Sequence, residues 1–130
     1  MPDLAKYVLD ASALLALLNA EKGAEIVQEL LPQAAISTVN LAEVVTCLSA
    51  VGMPENEIRE TLSLLGLETM DFDEEQAFLA GLMVFHTHPF GLSLGDRVCL
   101  ALSQATAAAA VTADRAWEGL DIGVEIRLIR

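Results

Sequence analysis

The sequence predicts an α/β fold, a three-layer sandwich in which a mainly parallel sheet of about five strands is flanked by helices. Short β-type runs alternate with longer helical segments along the chain. Parallel strands need crossover connections, and helices supply them. The 130 residues, 54% of them hydrophobic, suit a single domain spanning 1–130, because a chain of this length can bury a core.

Five short runs are predicted as strands, at residues 6–10, 34–37, 67–72, 108–114 and 124–129. The first of them, "KYVLD", ends in Asp10, which places a carboxylate where a strand gives way to a helix. Ligands of parallel α/β sheets bind outside the carboxyl ends of the strands. Residues directly after the strands are therefore the first candidates for function.

Six segments show helical spacing of apolar residues, at 12–19, 23–31, 40–52, 54–66, 73–87 and 93–106. The first is apolar on nearly every side, as expected for a helix packed deep against a sheet. Phe78, Leu82 and Phe85 share one face of the fifth helix. The stripe along the last helix consists of Leu94, Val98, Leu102 and Ala105. A short helical turn is predicted near 115–119.

The net charge of -12, from 19 acidic and 7 basic residues, argues against passive attraction to a phosphate backbone. A nucleic-acid substrate would need bridging cations, whereas a basic protein partner would be attracted directly. The blander explanation is that the acids keep an apolar chain soluble.

The compartment expected from the sequence is the cytoplasm. No apolar run reaches the ~18 residues of a membrane-spanning helix, and "MPDLAKYVLD" lacks the features of a secretory signal. Cys47 and Cys99 fall in predicted helices among apolar neighbours, without metal-ligand spacing. Both are predicted to be buried free thiols.

Four acids lie at or just beyond predicted strand ends. Asp10 and Asp114 follow strands, while Glu43 and Asp96 lie in the first turns of helices. If the sheet is parallel, four separate segments bring carboxylates to the same rim.

Each acid also has a structural interpretation as a helix cap. Asp10 or Ser12 can cap the first helix, with Ser12 the better placed, and Asp114 can cap the turn that follows it. The pairs with the spacing of a capping box are Asn40 with Glu43 and Ser93 with Asp96. Asp10 is the hardest of them to explain as a cap, because Ser12 is better placed and an unpaired carboxylate among apolar neighbours is costly. Taken together, the four acids favour a site.

Clustered carboxylates repel one another unless a cation balances them. Mg²⁺ and Mn²⁺ prefer such oxygen ligands, and the lack of a His or Cys ligand set argues against zinc. His86 and His88 are predicted to be surface residues. Acid-only sites suit phosphodiester hydrolysis, in which the metal activates a water and neutralises the leaving oxygen.

The segments "VLDASALLALL", "ISTVNLAEV", "LSLGDRVCLAL" and "VTADRAW", in this order, resemble the PIN-domain ribonucleases, and most closely the VapC-type toxins of toxin–antitoxin pairs. The resemblance implies a parallel α/β sandwich that cleaves RNA with Mg²⁺ or Mn²⁺, leaving 5′-phosphate and 3′-hydroxyl ends. It assigns the metal to Asp10, Asp96 and Asp114. It has Glu43 position or deprotonate the attacking water.

The resemblance also implies supporting residues and partners. Ser12 and Thr112 would orient carboxylates or waters, with ordinary turn and cap roles as the alternative. Arg97 and Arg115 are candidate RNA phosphate contacts, with salt bridges as the alternative. Trp117 is expected to pack in the core. The expected partners are a second copy in a homodimer and a small antitoxin with a basic inhibitory tail.

Three other classes of protein have features in common with this sequence. A phosphoacceptor receiver domain needs paired acids after the first strand and a late lysine, but the only lysines are Lys6 and Lys22. A haloacid-dehalogenase-type phosphatase needs an aspartate at position 12, which is Ser12. A catalytically silent PIN-fold interaction module remains open.

Overall fold

A computed structural model describes residues 4–130 and contains a fully parallel five-stranded sheet. The strands are β1 (Tyr7–Leu9), β2 (Ala34–Ser37), β3 (Glu68–Met70), β4 (Ala109–Thr112) and β5 (Ile126–Leu128). Their order across the sheet is β3-β2-β1-β4-β5, with β1 in the middle. The predicted parallel sheet is confirmed; β2 has the predicted bounds, and each other strand is the shorter core of its predicted run.

The helices are α1 (Ala11–Leu18), α2 (Ala24–Leu30), α3 (Thr38–Ala50), α4 (Glu55–Ser63), α5 (Glu74–Leu82), α6 (Val84–Thr87) and α7 (Leu94–Thr106). Single 3-10 turns lie at Leu31–Gln33, His88–Phe90 and Arg115–Trp117. The segment 73–87, predicted as one helix, is divided at Met83 into α5 and α6. Within residues 4–130 no helix has the length and apolar character needed to cross a bilayer.

Two apolar clusters lie on opposite faces of the sheet and make the fold a three-layer sandwich. Adjacent strand residues point to opposite faces, so Leu9 packs with α1 to α4 while Val8 packs with α5 and α7. Trp117 is fully buried in the second cluster, which confirms its predicted packing role. The three-layer architecture predicted from the sequence is thereby confirmed.

The prediction that both cysteines are buried holds for only one of them. Cys99 is buried and free as predicted, but the prediction is wrong for Cys47, which is free and exposed. It lies on the outer side of α3, whose buried positions are Asn40, Val44 and Leu48.

The apolar face of the fifth predicted helix does not point into the core. Phe78, Leu82 and Phe85 are 60%, 73% and 87% exposed. The buried positions are instead Gln76, Ala80 and Met83, because α5 turns this narrower face towards α7. The stripe of α7 is likewise only half buried, since Val98 and Leu102 are covered while Leu94 and Ala105 are exposed.

Candidate active site

The strand register brings three chain segments together at one edge of the sheet. Leu9, the last residue of β1, pairs with Ile36 of β2 on one side and with Val111 of β4 on the other. Asp10 follows directly, and its backbone N–H donates to the Val111 carbonyl at 3.0 Å. Residues that follow β1, β2 and β4 therefore meet at this carboxyl edge.

Asp10 is 4% exposed, and its side chain is surrounded by donors. The Ala13 backbone N–H donates to Oδ1 at 2.8 Å, which makes Asp10 the N-cap of α1. The Ser12 hydroxyl donates to the carboxylate at 2.8 Å, and the Thr112 hydroxyl donates to Oδ2 at 2.5 Å. The prediction that Ser12 is the better cap is wrong, since Ser12 is already inside α1 and holds Asp10 in place.

Burial raises the pKa of Asp10 to about 6. The hydrogen bonds from Thr112, Ala13 and Ser12 oppose this shift, and the charge of Asp96 adds to it. None of the ion pairs within residues 4–130 involves Asp10. The carboxylate is thus buried with hydroxyl and amide donors but without a cation, which is an unfavourable place for a negative charge.

Two hydroxyls connect Asp10 to the segment that follows β4. The Thr112 hydroxyl oxygen accepts a hydrogen bond from the Asp114 backbone N–H at 3.0 Å, and the Ser12 hydroxyl accepts one from Ala113 at 3.0 Å. The Asp114 side chain accepts from the Ala116 backbone N–H at 2.9 Å, so it caps the 3-10 turn as the structural interpretation predicted. Its carboxylate is exposed at the same edge.

Asp96 lies in the first turn of α7, and Glu43 lies in the second turn of α3. Asp96 and Ser93 form a complete capping box at the start of α7. The second predicted capping box is absent, because Ser37 caps α3 and places Asn40 inside the helix. Asn40 instead donates from Nδ2 to Glu43 Oε1 at 2.7 Å.

Three of the acids act on one buried thiol. Burial raises the pKa of Cys99 well above its usual value, and the negative charges of Asp10, Asp96 and Glu43 raise it further. Cys99 lies behind the carboxyl edge, with its Sγ 3.9 Å from the Val8 carbonyl oxygen. The charges of these three carboxylates therefore all act on Cys99, while the Asp114 backbone N–H is linked to Asp10 through the Thr112 hydroxyl.

A hard dication matches the chemistry of these donors. All four side chains are carboxylates, and Asp10 lacks an ion-pair partner among the described residues. As the side chains stand, however, no group of three or more His, Cys, Asp or Glu within residues 4–130 is placed to hold a metal ion. The donor types fit Mg²⁺ or Mn²⁺, and a ready-made cluster is not formed.

The two arginines near the edge are engaged in local bonds. Arg97 donates from Nη1 to the Ala80 carbonyl at 2.9 Å, which links α7 to α5. Arg115 pairs with Glu118 at 3.1 Å and donates to the Arg130 carbonyl at 2.9 Å. Their roles as phosphate contacts stay predictions.

A groove of about 800 Å³ lies between α3 and α4 and is separate from the acids. Its lining includes Leu41, Val45, Ile58 and Leu62, and none of the four acids is part of it. The groups that can do chemistry lie instead at the carboxyl edge.

Two residues at this edge escaped the sequence interpretation. The sequence pattern predicts only a capping role for Asn40 and no role for Gly95. The signals were present as the Asn40–Glu43 spacing of one helical turn and as a glycine inside a helix directly before Asp96.

The parallel five-stranded sheet, with acidic residues after β1 and β4 at its carboxyl edge, has the features of a PIN domain. The family model described as "PIN domain" matches residues 7–122, which is most of the chain, and the protein belongs to this family. The family predicted from the sequence motifs is confirmed.

Solved structures of toxin–antitoxin complexes share the fold. DNA-bound VapBC from Salmonella typhimurium matches with a TM-score of 0.77 and 19% identity, over 98% of this chain and 100% of that one. VapBC2 from Rickettsia felis, bound to a promoter DNA fragment, gives 0.72 and 20%, over 92% and 96%. A toxin-antitoxin complex from Klebsiella pneumoniae gives 0.69 and 21%, over 92% and 99%.

At these identities the likeness concerns the fold, and it confirms the resemblance to VapC-type proteins at that level. Comparison with curated protein sequences gives no significant match.

Proposed function

We propose that this PIN domain is a metal-dependent endoribonuclease that hydrolyses RNA phosphodiester bonds and serves as the VapC-type toxin of a toxin–antitoxin pair. The observation that carries the proposal is Asp10, a buried carboxylate without an ion-pair partner among residues 4–130, to which Asp96 adds further negative charge. A bound dication would remove the cost of this arrangement.

In this proposal the carboxylates of Asp10, Asp96 and Asp114 hold Mg²⁺ or Mn²⁺. The ion would lower the pKa of a water and neutralise charge on the leaving oxygen. Glu43, which is exposed at the rim, positions the attacking water or takes its proton. The hydroxyls of Ser12 and Thr112 fix the orientation of Asp10, because both donate to its carboxylate.

The proposed protein partner is a small antitoxin with a basic tail. Solved structures that share the fold are toxin–antitoxin complexes, which supports an antitoxin as the partner. The net charge of -12 favours a basic segment near the acids. A homodimer and a cytoplasmic location are part of the same proposal.

The test is cleavage of structured RNAs in Mg²⁺ or Mn²⁺ by the wild type, Asp10→Asn and Asp96→Asn. Each variant should lose a factor of at least ~100 in rate, since it removes one strong electrostatic contributor. A chelator should stop cleavage by the wild type. Equal cleavage by all three proteins would point to a contaminating nuclease and contradict the proposal.

A catalytically silent interaction module is the second candidate, supported by the absence of a ready-made metal cluster within residues 4–130. Such a module would bind the antitoxin yet leave RNA intact with Mn²⁺ present. The same cleavage assay, with antitoxin binding measured in parallel, separates the two functions.

A further inference from the structure

The carboxylate of Glu43 lies against the first turn of α7, and one buried side chain holds it there. Asn40 is 1% exposed, and its Nδ2 donates both to Glu43 Oε1 at 2.7 Å and to the Gly95 carbonyl at 3.0 Å. Asn40 thereby joins α3 to α7 directly beside Asp96. A surface glutamate would otherwise sample several rotamers.

Gly95 leaves the space that this arrangement needs. A Cβ on Gly95 would be 2.6 Å from Glu43 Oε2 and 2.9 Å from Oε1, closer than real Cβ atoms come to such neighbours. Gly95 has an ordinary helical backbone, because it is not among the glycines with positive φ. Its lack of a side chain is therefore required by Glu43 and not by the chain conformation.

The amide of Asn40 has only one workable orientation. Both of its partners are acceptors, so its nitrogen must face them. This leaves Asn40 Oδ1 buried without a hydrogen-bond partner among the described residues. A buried unpaired acceptor is unfavourable for stability, which indicates that the position of Glu43 matters for another reason.

We infer that Asn40 is a positioning residue and that Gly95 leaves the space for the group it positions. Together they aim the Glu43 carboxylate at the ion and water that Asp96 and Asp10 would hold. This inference rests on the proposed function and adds two residues that act through Glu43. Groups that orient a metal ligand typically change metal affinity or activity by about 10–100-fold when removed.

The Gly95→Ala variant separates positioning from stability. Alanine favours a helix over glycine, so its melting temperature should stay within about 3 °C of the wild type or rise. Its Mn²⁺ affinity, measured by electron paramagnetic resonance of free Mn²⁺, should fall about 10-fold or more. Gly81→Ala is the matched control, because Gly81 is also helical and a Cβ there meets nothing within 4 Å. It should keep the wild-type affinity.

The Asn40→Leu variant tests the amide, with Gln76→Leu as its control. Gln76 is also a buried amide near a helix start, with one side-chain bond to a backbone carbonyl and an oxygen without a partner among the described residues, but it lies on α5 and none of its hydrogen bonds involves one of the four acids. Both substitutions should alter the melting temperature to a similar extent. Only Asn40→Leu should weaken Mn²⁺ binding and raise the Mn²⁺ concentration for half-maximal RNA cleavage, about 10-fold.

A Glu43→Ala background decides whether the effect passes through Glu43. There, Gly95→Ala should leave Mn²⁺ affinity unchanged and should raise the melting temperature more than it does in the wild type, because the close contact is gone. Wild-type Mn²⁺ affinity in Gly95→Ala, or an equal loss with and without Glu43, would overturn the inference. Wild-type protein that binds Mn²⁺ without cleaving RNA would overturn only the ribonuclease function, and one that does neither would overturn both.

Discussion

At the scale of single residues, Asp10 has two opposite effects on the stability of the fold. Its carboxylate caps α1 and ties β1 to the segment after β4, which stabilises the fold. Its burial nevertheless opposes ionisation, and three donors offset that cost only in part. Asp114 also caps a turn, but it does so from an exposed position.

The raised pKa of Asp10 predicts how stability depends on pH. Because the folded state binds the proton more tightly than the unfolded state, the free energy of unfolding should fall as the pH rises from about 4 through about 6. Asp10→Asn removes the titration. In a chelator it should be more stable than the wild type at pH 7.5 by up to roughly 3 kcal/mol.

Urea denaturation between pH 4 and pH 8 measures this difference, with Asp114→Asn as the exposed control. The advantage of Asp10→Asn should shrink towards zero near pH 4, where the wild-type carboxyl is protonated as well. A constant advantage at every pH would show that Asp10 does not titrate in this range and would contradict the prediction.

At the scale of elements, the sequence was enough to place all five strands and the order of helices between them. Short β-type runs such as "AAIS" are bounded by clear helix patterns, so their positions follow from local signals. The break at Met83 did not follow, because residues 73–87 keep a helical pattern through it. The exposure of one apolar face of α5 could not be predicted either, because the position of α7 determines which of the two apolar faces is buried.

The sequence also predicts only part of the candidate site. Asp10 and Asp114 stand out because they directly follow strands, and their contact through Thr112 agrees with the parallel register. Asn40 and Gly95 could not be found this way, since their importance lies in a contact between residues 55 positions apart. Such contacts require the packing of α3 against α7, which no local pattern encodes.

The link between α5 and α7 gives a prediction at this scale. Arg97 donates to the Ala80 carbonyl in the last turn of α5, where a cation also suits the helix dipole. Arg97→Met should lower the free energy of unfolding by roughly 1–2 kcal/mol, and the KM for RNA should change less than about 3-fold.

The matched control is Arg59→Met, because Arg59 forms an exposed pair with Glu55 at 2.8 Å. Exposed pairs contribute little, so its stability should change by less than about 0.5 kcal/mol. A large rise in KM for Arg97→Met without loss of stability would instead establish Arg97 as a phosphate contact.

At the scale of the whole molecule, charge and exposed apolar surface point to partners. The net charge of the chain is -12, yet the apolar face of α5 and α6 formed by Phe78, Leu82 and Phe85 is exposed to solvent. Contiguous exposed apolar surface commonly marks an interaction site. This face is the candidate for the contact between two copies in the proposed homodimer.

The double variant Phe78→Ser with Phe85→Ser should shift the protein to a monomer, measured by sedimentation velocity. The expected reason is loss of apolar area at the interface, which leaves the fold intact because neither ring is buried. Val51→Ser with Leu64→Ser, at two equally exposed positions elsewhere, is the control and should remain a dimer. A dimer that survives the first pair of changes would contradict this assignment.

The hydrogen bond between Thr112 and Asp10 joins residues 102 positions apart. Ribosomes release a chain from its amino terminus, so Asp10 emerges before β4 and can bond to Thr112 only after that strand has been made. A growing polypeptide that lacks β4 has neither Thr112 nor Asp114 and cannot assemble the edge at which RNA would be cut. If the proposed function holds, RNA could therefore be cut only after β4 and Asp114 have left the ribosome.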